Sequence, residues 1–393
     1  MPTESQPANA SKGTSSVAEK ALPKDAPRGA LVIAIDAMGG DHGPAVTVPG
    51  AALALEARSD LFFQLHGDGP RIEAELARLP ALKARCTVVH TDQCVAMDEK
   101  PAQAIRRRNT SLANAINAVK GGSARAVISA GNTGALMALS KMILKMMTDD
   151  LERPAIGCSW PSRNGFSTVL DVGANVTSDA RQLIEFALMG AAFHRALRGG
   201  DRPSIGLLNI GSEDVKGHDD VREAHQLLRQ NTLGLNYYGF VEGTDLCDGT
   251  VDVVVTDGFT GNVALKTAEG AARFIKDLLK EAFKSSPLAM LGALLAGPAL
   301  KAMSRRIDPG AGNGGPLLGL RGIVIKSHGG ADARAFANAV RVGISLAASS
   351  YESDLAAALA RFSQSVAVGS AALAGTPVDA DITSLAPTGA VGG

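Results

Sequence analysis

Four short glycine-rich turns are the parts of this chain best suited to chemistry. They are GGD (39–41), GNTG (131–134), GAN (173–175) and GFTGN (258–262). Glycines in such turns expose backbone N–H groups where a helix begins, and the positive end of the helix dipole favours negative charge at the same place. The pattern therefore predicts that these turns bind an anion, phosphate above all.

Cationic side chains near the turns add charge and hydrogen-bond donors. The candidates are Lys216, Lys266 and His328. Three aspartates, Asp36, Asp171 and Asp257, also follow strand-like runs, but three carboxylates cannot all face one phosphate. We expect them to orient backbone amides and lysines, or to cap helices. For Asp36 and Asp171, capping alone is an equally good explanation.

Several familiar catalytic motifs are absent from the sequence. It has no GxxxxGK[ST] loop, no GxSxG elbow, no HExxH pair and no GxGxxG between a strand and a helix. The stretch GDGPRI (67–72) begins like a dinucleotide-binding fingerprint, but Ile72 stands where a small residue belongs. The four cysteines are far apart, form no CxxC pair and have no nearby histidine at metal-ligand spacing. We therefore expect reduced structural thiols in a cytosolic protein, and neither a metal nor a cofactor.

The elements that position these turns follow one pattern. Short apolar runs of strand length break into Gly, Asp, Asn, Ser or His, and helical patterns lie between many of them. The runs open the stretches 31–41, 62–69, 86–92, 124–134, 168–175, 205–214, 251–262 and 322–330, and helices are predicted within 110–122, 177–200 and after 258. Such alternation predicts an α/β fold with a mainly parallel sheet and helices on both faces. Ligands of such sheets bind outside the carboxyl ends of the strands, so we expect the turns to line one shared cleft.

Composition sets limits on the partners. The 393 residues carry no net charge, which argues against a global field that attracts nucleic acid. No apolar run reaches the roughly 18 residues that a membrane-spanning helix needs. The composition of residues 1–29 predicts a disordered extension. About the last 25 residues are predicted to be equally loose.

Six longer motifs resemble one known family almost word for word. They are IAIDAMGGDHGP, SAGNTGALM, LDVGAN, LLNIGSEDVKG, DGFTGNVALK and LLGLRGIVIKSHG. In this order, over about residues 30–350, they resemble the bacterial phosphate:acyl-ACP acyltransferases of glycerolipid synthesis, where ACP is acyl carrier protein. The resemblance implies a catalytic domain over 30–350. Residues 351–393 lie beyond it and are predicted to form a helix end and a disordered tail.

The family implies that acyl-ACP and inorganic phosphate react to give acyl phosphate and free ACP. It also implies a three-layer fold similar to isocitrate and isopropylmalate dehydrogenases and to phosphotransacetylase, and a homodimer whose product passes to a membrane acyltransferase. Those dehydrogenases bind metal through two aspartates four residues apart. Here the second position is Gly261, four after Asp257, which argues against a divalent metal and against hydroxy-acid oxidation.

This chemistry explains the missing motifs. Phosphate is itself the nucleophile, so no Ser or Cys needs activation. We expect Lys216 and His328 to be catalytic, with Asp257 positioning the substrate-binding side chains, although a surface lysine and a structural histidine are the alternatives. The substrate-binding residues are predicted to be Asp36, Gly39, Gly40, Asp41, Asn132, Thr133, Gly134, Asp171, Asn175, Gly211, Glu213, Gly258, Thr260, Gly261, Asn262 and Lys266. A bulky residue at Gly134 or Gly261 is expected to block the approach of the backbone to the anion.

Three other functions remain open from the sequence. They are a phosphotransacetylase-like enzyme that uses acyl-CoA, a non-catalytic scaffold that binds ACP at a membrane, and a nicotinamide oxidoreductase. The missing fingerprint and metal pair disfavour the last. Because ACP is acidic, its enzyme needs a local basic patch, for which IRRRN (105–109) is the candidate and a solvated charge run the simpler explanation.

The segment 283–307 is apolar almost throughout from Pro287 to Leu300, yet too short to span a bilayer and interrupted by Pro298. We expect two short helices in a projecting hairpin that touches a membrane surface, flanked by cations. A dimer interface or a lid over an acyl tunnel is the main alternative. The predicted membrane contacts are Leu288, Met290, Leu291, Leu294 and Leu295.

Overall fold

The computed structural model describes residues 26–230, 232–306 and 312–374, without the side chains of 304–306 and 366–374. The disorder predicted for residues 1–25 and 375–393 concerns residues outside these ranges. The strands are β1 Leu31–Asp36, β2 Leu61–Gly67, β3 Cys86–His90, β4 Ala126–Ser129, β5 Ala155–Ser162, β6 Gly165–Leu170, β7 Ser204–Leu208, β8 Asn236–Val241, β9 Val253–Val255, β10 Gly315–Leu318 and β11 Ile323–Lys326.

Helices connect most of these strands. They are α1 Pro44–Ala54, α2 Gly69–Leu76, α3 Pro80–Lys83, α4 Pro101–Ala104, α5 Ser111–Lys120, α6 Thr133–Leu144, α7 Ala180–Arg198, α8 Asp219–Arg229, α9 Gly243–Asp248, α10 Gly258–Lys284, α11 Pro287–Leu295, α12 Gly297–Arg306, α13 Ala333–Ala347 and α14 Tyr351–Ala374, with a 3₁₀ turn at Leu55–Ala57.

The strands form a single sheet of eleven in the order β3-β2-β1-β4-β11-β10-β5-β6-β9-β7-β8. Strands β3, β2, β1, β4 and β11 are parallel to their neighbours within that group. Strands β6, β9, β7 and β8 form a second parallel group. Three successive antiparallel pairings, β11 with β10, β10 with β5 and β5 with β6, lie between the groups. An odd number of reversals means that the two groups run in opposite directions.

The expected α/β fold, with helices around a mostly parallel sheet, is confirmed. All eight apolar runs singled out in the sequence contain strands. The pattern missed β5, β8 and β10, because AIGCSWPS, NYYGFV and GPLL carry proline, glycine or polar residues instead of a continuous apolar run. Two of these missed strands, β5 and β10, make the antiparallel pairings that reverse the sheet.

Caps fix two of the predicted helices at the expected residues. The Thr110 side chain accepts a hydrogen bond from the Ala113 amide at the start of α5. Asp179 begins α7 in a reciprocal capping box with Gln182. The largest fully buried side chains include Phe63 of β2, Phe186 and Phe193 of α7 and Phe336 of α13.

The last helix and the apolar segment can be compared with what the sequence predicts for them. Helix α14 continues through Ala374, six residues into the stretch (369–393) that the sequence pattern predicts to be loose. Helices α11 and α12 lie where two short helices are predicted, and α11 has no buried residue. Their arrangement as a projecting hairpin stays a prediction. None of the described helices is both long and apolar enough to cross a membrane.

Candidate active site

Three turns meet at the carboxyl ends of β1, β4 and β11. The Asp41 amide after β1 donates a hydrogen bond of 3.0 Å to the Gly329 carbonyl after β11. Gly40 has a left-handed backbone (φ +89°), and a Cβ there would lie 2.9 Å from the Gly329 carbonyl oxygen and 3.0 Å from the Ala130 Cβ. Only glycine fits this position without a shift, because both the φ angle and the contacts exclude a side chain.

A buried carboxylate organises this meeting point. Asp36, the last residue of β1, accepts hydrogen bonds from the hydroxyls of Ser111 at 2.6 Å and Ser129 at 2.7 Å. The Ser129 hydroxyl in turn accepts the Gly131 amide at 3.0 Å. Burial raises the pKa of the Asp36 carboxyl, while these hydroxyls, the Met38 amide and Lys326 oppose that rise. Asp36 therefore ties β1 to α5 and to the turn after β4. Its side chain does not cap α1 or α5, which begin after Gly43 and Thr110.

Lys326 lies next to Ser129 in the same register, at the end of β11. Its ammonium donates to the carbonyl of Ala130 at 3.0 Å and to the carbonyl of Gly131. Burial lowers the pKa of Lys326 to about 8, against the attraction of Asp36 and Asp41. Among the described residues, no carboxylate lies within 4.0 Å of this ammonium. The lysine is thus a partly buried cation at the centre of the three turns.

The start of α6 combines a cap with free amides. Asn132 caps the helix, because its Oδ1 accepts the Ala135 amide at 2.9 Å. Its Nδ2 donates to the carbonyls of Met97 at 2.7 Å and Glu99 at 2.9 Å, so the side chain also holds the preceding loop. The backbone amides of Thr133 and Gly134 have no hydrogen-bond partner among the described residues. Such free first-turn N–H groups are the ones that helix starts offer to anions.

His328 stands exposed beside these turns. Its backbone amide donates to Asn313 Oδ1 at 2.9 Å, and its Nδ1 accepts the Gly330 amide at 3.2 Å. An N–H pointing at Nδ1 requires the lone pair there, so the proton of the neutral ring lies on Nε2. In this arrangement Nε2 is a hydrogen-bond donor directed away from the backbone.

A second group of turns follows β6 and β9, with a buried aspartate at its centre. Asp171 Oδ1 accepts the amides of Ile156 at 3.0 Å, Gly173 at 3.2 Å and Ala174 at 3.1 Å. Its Oδ2 accepts both the backbone amide of Asn175 at 2.6 Å and its side-chain amide at 2.9 Å. Burial raises the pKa of this carboxyl, and the hydrogen bonds from the Ile156 and Ala174 amides and from Asn175 oppose the rise. Asp171 therefore folds the GAN turn upon itself and has no free face for a ligand.

The GFTGN turn begins α10 and packs directly on the GAN turn. Asp257 caps the helix by accepting the Thr260 amide at 2.8 Å and the Thr260 hydroxyl at 2.7 Å. The Gly258 amide donates to the Asn175 carbonyl at 2.8 Å, and Asn262 Nδ2 donates to the Val172 carbonyl at 3.0 Å. Most N–H groups of this turn are therefore already satisfied, in contrast to those of α6.

Close packing explains the glycines at the two helix starts. A Cβ at Gly261 would lie 3.0 Å from the Asp171 carbonyl carbon and closer still to its oxygen. A Cβ at Gly134 would lie 2.8 Å from the Pro101 Cγ. Neither glycine has a positive φ. The expectation that a larger residue would chiefly block an anion is therefore incomplete, because it would first push apart neighbouring protein segments.

The remaining predicted site residues lie near the second group. Lys216 is exposed, and its backbone is fixed by hydrogen bonds to the Glu213 carbonyl at 3.0 Å and from Asn209 Nδ2 at 3.1 Å. A Cβ at Gly211 would contact the side chains of Glu213 and Lys216, so these three residues form one compact turn after β7. Lys266 forms an ion pair with Glu269 at 2.8 Å on the surface of α10.

Strands β6, β7 and β9 run antiparallel to β1, β4 and β11. The carboxyl ends of the two groups of strands, and with them the two groups of turns, therefore lie at opposite ends of the sheet along the strand direction. Within the described ranges, no hydrogen bond or ion pair joins one group to the other. The expectation that all the turns line one shared cleft is thus wrong for a single chain, because the antiparallel strands β5 and β10 were not foreseen. Across the same ranges, no cluster of three or more His, Cys, Asp or Glu side chains could hold a metal ion.

Sequence reasoning overlooked four residues of the first group. In the sheet, Asp36 is paired with His66 of β2 on one side and with Ser129 of β4 on the other, and Lys326 of β11 is paired with Ser129. Ser111 contacts Asp36 from α5. The His66 ring is buried without a hydrogen-bond partner, and burial lowers its pKa to about 4, so the ring is neutral. The available signal was a polar residue at or next to the carboxyl end of each of four apolar strands, because parallel neighbours bring such positions together.

Comparisons with known proteins agree with the motifs. The model of the family described as "Fatty acid synthesis protein" matches residues 31–353. A phosphate acyltransferase of Caulobacter vibrioides is 60% identical over 338 residues, which cover 86% of this chain and 94% of that protein. A phosphate acyltransferase of Phenylobacterium zucineum is 54% identical over 326 residues, covering 83% of this chain and 92% of that protein.

Solved structures support the fold. A phosphotransacetylase from Streptococcus pyogenes aligns with a TM-score of 0.56 at 16% identity, covering 82% of this chain and 95% of that one. A phosphotransacetylase from Staphylococcus aureus aligns with a TM-score of 0.53 at 15% identity, covering 81% and 94%. At this identity the likeness concerns the fold alone. The family model over residues 31–353 and the relatives at 60% and 54% identity show that the chain belongs to the phosphate acyltransferase family of enzymes.

Proposed function

We propose that this enzyme transfers a long-chain fatty acyl group from acyl-ACP to inorganic phosphate, and that the acyl phosphate supplies phospholipid synthesis. Family membership supports acyl transfer to phosphate. The observation that carries the choice of site is the pair of unpartnered amides at Thr133 and Gly134 beside the Lys326 cation. A dianion is best held where free N–H groups, a helix start and a positive charge coincide.

The proposed reaction needs no covalent bond between the protein and a substrate. A phosphate oxygen attacks the thioester carbonyl carbon, a C–O bond forms, and the C–S bond breaks as the ACP thiolate leaves. A thiol has a pKa of about 8.5, so its thiolate leaves without strong help from an acid. The protein has to orient the phosphate and stabilise the negative charge that develops on the carbonyl oxygen.

Lys216 and His328 remain our catalytic candidates. His328 supports the proposal because its Nε2–H is free to donate to a phosphate oxygen or to the leaving sulfur. Lys216 supports it because its backbone is fixed while its side chain is exposed. The two residues follow strands of opposite direction, so we assign His328 to the first group of turns and Lys216 to the second.

The experiment that tests the reaction compares two acyl donors, each in the presence and in the absence of the acceptor phosphate. Purified protein is incubated with palmitoyl-ACP or palmitoyl-CoA, each with and without phosphate and without added metal. We expect phosphate-dependent loss of palmitoyl-ACP. Preference for the CoA donor would favour a phosphotransacetylase-like activity, and loss of neither donor would favour a non-catalytic scaffold.

We further propose that a second copy of the chain covers α10. Only Gly258 and Gly261 are buried in this helix of 27 residues. Three large apolar side chains of this helix are exposed, Phe274 by 64%, Ile275 by 51% and Leu278 by 48%. Because large exposed apolar patches on a protein surface commonly mark interaction sites, we infer that this face is the homodimer contact. Phe274→Asp with Leu278→Asp should shift the mass in light scattering from dimer to monomer, and an unchanged mass would refute this contact.

The protein is also proposed to be cytoplasmic and peripherally bound to the membrane through α11, where the product would meet a downstream membrane acyltransferase. All five predicted contact residues are exposed, from 53% at Leu291 to 78% at Leu288. Replacing Leu291 and Leu295 with Asp should abolish sedimentation with anionic vesicles and leave the dimer and the activity in solution intact. Continued sedimentation, or dissociation to monomers, would show that α11 is not the anchor.

A further inference from the structure

The ammonium of Lys326 has two partners and one unused donor. A protonated lysine carries three N–H bonds. Two of them meet the carbonyls of Ala130 and Gly131, and no third acceptor lies within hydrogen-bond distance among the described residues. Asp36 is close enough to attract the charge, but its carboxylate accepts the hydroxyls of Ser111 and Ser129 and, among the described residues, no hydrogen bond from this ammonium.

The two carbonyl bonds also set the orientation of the following peptides. A carbonyl drawn towards Lys326 places the N–H of the same peptide on the opposite side, because the peptide unit is planar and trans. The Gly131 carbonyl belongs to the peptide whose N–H is that of Asn132. This N–H, like those of Thr133 and Gly134, has no partner among the described residues. Lys326 therefore fixes the start of the row of free amides.

We propose that Lys326 is the phosphate-positioning residue of this enzyme. Two of its N–H bonds hold the GNTG turn with the amides of residues 132–134 facing outward, and the third N–H, with the charge, meets an oxygen of the bound phosphate. A partly buried cation without an ion-pair partner is stabilised by a bound anion. The inference rests on the proposed function, because it takes phosphate as the substrate.

The test uses matched variants of the full chain. Lys326→Met keeps the length of the side chain and removes the charge and all donors, whereas Lys326→Arg keeps both. Lys141→Met is the control, since Lys141 is an exposed lysine in the last turn of the same helix that begins at Thr133. We expect Lys326→Met to raise the KM for phosphate at least about tenfold with a much smaller change in kcat. Lys326→Arg should restore most of the phosphate affinity, and Lys141→Met should match wild type.

Two results would overturn the proposal: an unchanged KM for phosphate in a folded Lys326→Met variant, or equal losses of activity in the Met and Arg variants. Equal losses would indicate a purely structural lysine. If Lys326→Met does not fold, hydrogen–deuterium exchange on the wild-type protein decides. Inorganic phosphate should then slow exchange in the peptide covering 131–135, while the same concentration of chloride should not. Absence of that protection would overturn the proposal, whereas wild-type protein that binds phosphate but forms no acyl phosphate would refute only the proposed function.

Discussion

The packing of α10 against the GAN turn gives a sharp prediction about Gly261. In Gly261→Ala the new methyl group would lie 3.0 Å from the Asp171 carbonyl carbon and 3.1 Å from the Thr256 Cγ2, so the helix start must move. Overpacking against a rigid backbone destabilises by about 3 kcal/mol, at the upper end of the usual range. Alanine in place of glycine returns about 1 kcal/mol through helix propensity. We therefore expect a net loss of about 2 kcal/mol in the free energy of unfolding.

Gly270→Ala is the matched control in the same helix. A Cβ at Gly270 meets nothing within 4 Å among the described residues of its own chain, so within one chain only the propensity gain of about 1 kcal/mol remains. The measurement is urea unfolding at fixed protein concentration, with the midpoint compared at constant m-value. If Gly261→Ala is as stable as Gly270→Ala, the glycine is not needed for packing. A raised KM for phosphate in such a stable variant would instead support the role in anion approach.

Three other predictions test the site. Lys216→Ala should lower kcat/KM at least about tenfold, equal to about 1.4 kcal/mol of transition-state stabilisation, and unchanged kinetics would remove Lys216 from the site. Because burial lowers the pKa of Lys326 to about 8, its ammonium loses the proton as the pH rises through that value. The KM for phosphate should then rise between about pH 7 and pH 9 in wild type but not in Lys326→Arg, whose guanidinium stays charged; parallel profiles would contradict this. Reversing the charges of the exposed Arg106 and Arg108 to Glu should raise the KM for acyl-ACP and leave that for phosphate unchanged, and the opposite pattern would exclude the patch as an ACP contact.

The sequence allowed the parallel parts of the fold to be predicted because their strands are buried on both faces. Runs such as LVIAID and VVV are apolar at every position, so their pattern is visible without any neighbour. Strands β5 and β10 pair antiparallel and carry Pro161 and Pro316, which single-sequence patterns associate with loops. Missing them meant missing the reversal of the sheet, and so the separation of the turns into two groups.

The sequence motifs predicted where the glycine turns lie, but they predicted the roles of individual side chains only in part. The glycine turns lie at strand ends as expected, but Asp171 and Asp257 satisfy amides of their own turns. Lys326 escaped notice because a lysine that ends an apolar strand has the sequence pattern of an ordinary surface residue. Its partners, Ala130 and Gly131, lie almost 200 positions earlier in the chain, at a separation of 195 to 196 residues, so only the register of β4 and β11 reveals them.

Transfer of the acyl group to phosphate itself is tested most directly with oxygen-labelled inorganic phosphate. The wild-type protein is incubated with palmitoyl-ACP and ¹⁸O-labelled phosphate, and the product is identified by mass spectrometry. We predict palmitoyl phosphate that carries every oxygen of the labelled phosphate, formed together with free ACP at a rate that depends on phosphate concentration. Palmitoyl-ACP that is consumed equally fast with and without phosphate, giving unlabelled free fatty acid, would contradict the assignment.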